Sequence, residues 1–184
     1  GIGKETALGL AELGARIIMG CRNVESANQV KSEIVKETEN EQIKVMKIDL
    51  SSFQSIRDFA KEFLATEQRL DVLIHNAAYG GFSRESSVDG IEKTMAVNHF
   101  GPFMLTHLLI DILKKSAPSR IVVVASRAYR HADLNVNNLN LFHTKTPVYQ
   151  FYHTSKSANM MFTFELAKLL EGTNVSVNCL HPGM

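Results

Sequence analysis

Short β-branched runs alternate with longer helical patterns along the whole chain, and this alternation constrains the fold more than any other feature. The runs at 17–20, 43–48, 72–75, 121–125 and 175–180 read as strands, and 3–13, 25–38, 53–66, 88–114 and 152–171 read as helices. The strand runs are mostly continuous apolar stretches bounded by turn formers, as strands covered on both faces require. Strands separated by helices pair in parallel through right-handed crossovers, so the expected architecture is α/β, a doubly wound parallel sheet. The 184 residues, 45% of them hydrophobic, suffice for one domain with a sizeable core. No linker or internal repeat divides them, so residues 1–184 are expected to form a single domain. A helix begins at once in Gly1-Ile2-Gly3-Lys4, with no strand before it. In a doubly wound sheet that strand is central. The expectation is therefore a chain truncated at its start, with Pro182-Gly183-Met184 as a second cut end.

Charge and composition remove several function classes. Twenty basic and nineteen acidic side chains nearly cancel, and no basic stripe interleaves with aromatics, which argues against a nucleic-acid partner. The two cysteines, Cys21 and Cys179, form no C-x-x-C, which reads as reduced thiols in a cytosolic-type compartment. The seven histidines are scattered without metal-ligand spacing, so no metal is assigned. No apolar run approaches the ~18 residues of a membrane span. An anchor would lie only in segments outside this sequence.

The chemistry concentrates at predicted strand ends and on one helix. Tyr152 and Lys156 sit four residues apart, on one helical face. A phenol in water titrates near pH ~10 and is a poor proton carrier at neutrality. A lysine ammonium held beside it favours the phenolate and makes it a usable acid or base. Ser126 ends the strand 121–125, where open α/β sheets place their ligands. It would bond a substrate oxygen or sit in a plain turn. Asn98 lies four residues before Pro102, which has no N–H to offer its carbonyl. That carbonyl needs another partner, and a water serving a proton relay would suit; a simple helix kink is the alternative. Gly1 and Gly3, around Ile2, read as the end of a glycine-rich turn that brings the backbone to a pyrophosphate, or as a cut terminus that holds two glycines. No acid occurs between residues 16 and 24, and Arg22 stands at the end of the second predicted element. In a dinucleotide fold that pattern suits a 2′-phosphate, favouring NADP(H) over NAD(H). Asp49 would accept from an adenine amino group or act as a cap near the next helix. The stretch 127–150, rich in asparagine, reads as a surface excursion beside the site. The apolar run 160–164 reads as core or as a subunit contact, which leaves room for a homodimer.

Taken in order, these residues resemble the short-chain dehydrogenases/reductases, and within them the retinol dehydrogenase-like group. The ordered set is Gly1-Ile2-Gly3, Cys21-Arg22-Asn23, Asp49-Leu50, Asn76-Ala77, Val97-Asn98, Ser126, Tyr152 with Lys156, and His181-Pro182-Gly183. The resemblance implies a Rossmann-type domain that moves a hydride between a nicotinamide cofactor and an apolar carbonyl or alcohol such as retinal or retinol. It implies Tyr152 as general acid/base, Lys156 as its electrostatic partner and ribose ligand, Ser126 as orienter of the substrate oxygen, and Asn98 as holder of a relay water. Gly1, Ile2, Gly3, Arg22, Asn23, Asp49, Leu50, Asn76, Ala77, Pro182 and Gly183 would line the cofactor. Ala78 departs from the family's glycine and adds a methyl group there. The resemblance also implies a place in the cytoplasm or on the cytosolic face of the endoplasmic reticulum. The stretch by itself is expected to be a poor enzyme, since it lacks the first strand, half the phosphate loop and the substrate lid. Two other readings are an interaction protein similar to the WW-domain oxidoreductases, which keeps the cofactor fold, and an extended-branch sugar-nucleotide epimerase.

Overall fold

The computed structural model describes residues 1–183. Five strands form two parallel sheets, of two and three strands, in two compact units, Gly1–Asp49 and Leu50 onward.

In the first unit, α1 (Ile2–Glu12), β1 (Ile17–Cys21), α2 (Val24–Thr38) and β2 (Ile43–Lys47) follow one another. β1 pairs with β2 in parallel, Ile17 opposite Ile43 and Cys21 opposite Lys47. Ala7, Ala11, Ile34 and Ile43 form the core, with Ile17, Met19 and Val30 against it. Asn23 caps α2 by accepting from the Ser26 N–H at 3.0 Å, which satisfies one of the helix's orphan donors. Gly14 takes a left-handed φ of 76° just past α1, the conformation that ends helices and that only glycine adopts without strain. Asn40 then donates to the carbonyls of both Ala11 and Ala15, tying the approach to β2 to the end of α1.

The second unit begins with α3 (Phe53–Thr66) and β3 (Val72–His75), then a long helix in three parts. These are α4 (Lys93–Met95), a π-helical turn (Ala96–Phe100) and α5 (Gly101–Lys115). β4 (Ser119–Val124), α6 (Val148–Leu169) and β5 (Val175–Leu180) complete it. The sheet order is β3-β4-β5, all parallel. Ile121 and Val123 of β4 bury against Leu113 of α5, Leu170, and Val175 and Val177 of β5. The long helix is apolar and long enough to cross a membrane by length and composition alone. Its residues Leu105, Leu109, Ile112 and Leu113 are buried within the unit, as in a core helix.

Three sequence expectations change, and a fourth gains detail. The helix expected from 88 starts at Lys93, because Gly90 turns the chain at φ 76° and Glu92 caps the helix, accepting from the Thr94 and Met95 N–H groups at 3.0 and 2.9 Å. The helix expected from 152 starts four residues earlier, at Val148, just after Pro147. Ser52, not Asp49, caps α3, accepting from the Ser55 N–H. The excursion 127–150 lies on the surface along most of its length, as expected, but it is anchored at one buried point. Leu141 is buried with Met95, Phe151 and Ala158, and the Arg84 guanidinium donates to the carbonyls of Leu141, Phe142 and Thr146. Sequence polarity hid this anchoring, since the arginine that makes it lies more than fifty residues upstream.

Candidate active site

Parallel pairing puts the ends of β3, β4 and β5 at one edge of the three-stranded sheet. Asn76 and Ala77 follow β3, Ser126 follows β4, and Pro182 and Gly183 follow β5. The Ala125 N–H donates to Leu180 O at 2.8 Å, holding the last two ends together. Gly183 has φ 96°.

Lys156 reaches this edge from α6. Its side chain is almost wholly buried, and its ammonium donates to the carbonyl of Val124, the last residue of β4, at 2.8 Å. The ammonium lies 5.5 Å from the Tyr152 ring centroid. Burial pulls the Lys156 pKa down to about 8, which leaves the cation dominant at neutral pH. Tyr152 is half-buried, and its ring stands beside Gly80. The Ser126 hydroxyl accepts from the Ala128 N–H at 3.2 Å and starts a 3-10 turn (Arg127–His131). That turn meets α6 where the His131 and His153 rings come to 5.8 Å.

Asn98 sits in the π turn, fully buried. Single π turns inside α-helices are frequent at functional sites. Its side chain forms a two-way clasp with Tyr79, Oδ1 accepting from the Tyr79 N–H at 2.7 Å and Nδ2 donating to Tyr79 O at 2.9 Å. Nδ2 also donates to the Ser155 hydroxyl at 3.0 Å, and that hydroxyl donates to Tyr152 O at 2.8 Å. The Asn98 carbonyl, expected to need a partner, has one in the protein itself. The Asn159 side chain donates to it through Nδ2 at 2.8 Å, because α6 crosses the π turn at that height.

Just beyond, Gly101 allows a close approach. A Cβ there would lie 2.5 Å from the carbonyl oxygen of Leu50 and 3.0 Å from that of Ala96. Leu50, expected to line the cofactor, therefore also seats the long helix. Behind the edge, His75 is buried and its Nε2 lies 2.7 Å from the Thr106 hydroxyl. That hydroxyl donates to Pro102 O, so it accepts from His75 Nε2–H. Burial lowers the His75 pKa to about 4 and keeps the ring neutral.

The remaining expected cofactor residues belong to the first unit. Gly1 is the N-cap of α1, and Ile2 and Gly3 form its first turn. Arg22 is exposed just past β1, its carbonyl taken by the Lys47 ammonium. Asn23 is occupied as a cap, and Asp49 follows β2.

Sequence reading missed Tyr79, Ser155, Asn159, His75 and Thr106. Asn159 left a trace: an asparagine inside an apolar helical run, one turn beyond Lys156, needs a buried partner.

Comparison with known proteins fits this geometry. Residues 1–184 match the short chain dehydrogenase family along their whole length. The chain belongs to that family. It is 45% identical to retinol dehydrogenase 14 of Mus musculus over 100% of this chain and 58% of that protein. It is 47% identical to retinol dehydrogenase 11 of Homo sapiens over 100% of this chain and 57% of that one. The chain thus spans less than two thirds of the curated relatives it matches. Among solved structures, a short chain dehydrogenase from Escherichia coli CFT073 complexed with NADPH superposes with a TM-score of 0.80, at 29% identity over 100% of this chain and 72% of that one.

The residues fit a nicotinamide cofactor. In the second unit, the Lys156 ammonium and the half-buried Tyr152 ring stand at the carboxyl ends of parallel strands, where such folds take ligands. In the first unit, a glycine-capped helix N-terminus and an exposed arginine suit phosphate groups.

Proposed function

We propose that the protein is an NADP(H)-dependent oxidoreductase acting on an apolar carbonyl or alcohol of the retinal/retinol kind. The observation that carries this reading is the buried Lys156 ammonium, fixed to the Val124 carbonyl and held beside the Tyr152 ring. A buried charge is costly, and this one lies 5.5 Å from the ring centre of the residue that would move a proton.

Bound NADPH would supply a hydride to the carbonyl carbon. Tyr152 donates its phenolic proton to the carbonyl oxygen, which becomes the alcohol hydroxyl. Lys156 stabilises the negative charge that develops on the Tyr152 oxygen as the proton leaves. Ser126 orients the substrate oxygen, and Asn98 with Ser155 holds the α6 backbone at Tyr152. Pro182 and Gly183 border the nicotinamide end, with Asn76 and Ala77 on the neighbouring strand end. In the first unit, Gly1, Ile2 and Gly3 hold phosphate, Arg22 meets the 2′-phosphate, and Asn23, Asp49 and Leu50 complete the adenosine contacts. The retinoid class is supported by the retinol dehydrogenases at 45% and 47% identity, and the phosphorylated cofactor by Arg22 and by the NADPH-complexed relative.

The test is retinol formation from all-trans-retinal and NADPH by the complete protein. Tyr152→Phe should lower turnover by at least ~10³-fold while leaving cofactor binding nearly unchanged. Near-normal turnover in that variant would sink the assignment.

A further inference from the structure

The Asn98 carbonyl has lost its usual helical donor, because position 102 is proline. The Asn159 Nδ2 takes that place at 2.8 Å, from two turns beyond Tyr152 on α6. The same helix grips Asn98 a second time, through Ser155 and the Asn98 side chain. Asn98 is therefore held between α6 positions 155 and 159, which share one helical face. This double grip sets the register of the π turn against the helix that carries Tyr152 and Lys156.

The orientation of the Asn159 amide is itself determined. With Nδ2 turned to the Asn98 carbonyl, Oδ1 faces His99 Nδ1 at 3.1 Å. Two acceptors would repel there, so the proton between them sits on His99 Nδ1. His99 and Asn159 are both buried. An amide rotated by half a turn would set Oδ1 against the Asn98 carbonyl oxygen, two acceptors in a buried site, and remove that carbonyl's donor.

We propose that Asn159 and His99 are positioning residues: Asn159 supplies the N–H that Pro102 lacks, and His99 fixes the amide that supplies it. The consequence for catalysis rests on the reductase reading above; the hydrogen-bond arrangement does not. Loss of the clamp lets the π turn slide against α6 and misplaces the Asn98–Ser155–Tyr152 connection. Small misplacements of catalytic groups act on the chemical step more than on binding.

The experiment uses the complete protein, with kcat and KM measured for NADPH and all-trans-retinal. Asn159→Leu removes the donor and fills the space; Asn159→Asp keeps the shape and the acceptor but loses the donor. Thr163→Val serves as control, since it cuts the bond from Thr163 to the Asn159 carbonyl on the same helix without touching the clamp. Both Asn159 variants should lose about ten- to a hundredfold in kcat, with the KM for NADPH within about twofold of wild type. Thr163→Val should keep its kcat even where its melting temperature falls. Nitrogen-15 NMR of the wild-type His99 ring should show the proton on Nδ1. Wild-type kcat in either Asn159 variant, or a His99 proton on Nε2, would overturn the proposal. A wild-type protein without carbonyl turnover would count against the reductase reading alone, and the His99 tautomer would still decide the clamp.

Discussion

The proposed mechanism needs Lys156 charged, and its burial therefore gives the proposed reaction a pH dependence. Burial lowers Lys156 to about 8, so the fraction carrying the ammonium falls as pH rises through that value. The pH profile of kcat/KM should therefore show a basic limb near 8, and Lys156→Arg should move that limb upward even at reduced rate. The stability consequence has the opposite sign. The folded pKa lies below the ordinary 10.5, so the unfolded chain binds the extra proton between about 8 and 10.5. The contribution is present above 10.5 and is lost as pH falls through about 8, which makes the lysine a standing cost at neutral pH. His75 behaves the same way on the acid side. Burial holds it neutral down to about 4 against an ordinary 6.5. Its contribution is complete above 6.5 and is lost as pH falls toward 4, on the order of 3 kcal/mol. Urea unfolding of wild type and His75→Gln between pH 4 and 7 should show a flatter dependence for the variant. An unchanged slope would show that His75 is not the group responsible.

At the scale of elements, the long helix explains how Asn98 and Leu50 come to depend on each other. Gly101 brings the helix against the Leu50 carbonyl, directly after the π segment. Gly101→Ala would gain about 1 kcal/mol in helix propensity. It would also force its methyl to 2.5 Å from a backbone oxygen, an overpacking that typically costs about 1–3 kcal/mol. A net loss of stability is expected on denaturant unfolding; a more stable variant would mean that the Leu50 segment moves aside freely. The cap by Glu92 acts at the start of the same helix. Glu92→Ala leaves the Thr94 and Met95 N–H groups without their partner and should lower stability by about 1 kcal/mol.

Across the whole molecule, the two units divide the proposed work. Under the proposed function, residues of the first unit would select the cofactor and residues of the second would carry the chemistry. Arg22→Glu should raise the KM for NADPH by roughly tenfold while leaving the NADH values and kcat close to wild type. Tyr152→Phe should do the reverse, removing turnover and sparing KM. A fall in kcat with both cofactors in the Arg22 variant would mean that Arg22 supports the fold and not the choice of cofactor.

The alternation of strand and helix, and the residues that end the strands, could be read directly from the chain. Apolar runs and turn formers are local signals, so β3 and β5 fell at their expected bounds, 72–75 and 175–180, and α3 at 53–66. Tyr152 and Lys156 were legible because their spacing matches the helical period. Partners that come from distant segments were not. The donor to the Asn98 carbonyl is sixty-one positions away, and the carbonyl that fixes Lys156 is thirty-two positions away. Missing donors, such as the one at Pro102, show in the sequence as a need. Only the packing of α6 across the π turn decides which side chain meets that need, because hydrogen bonds between elements depend on where the helices cross and not on any local pattern.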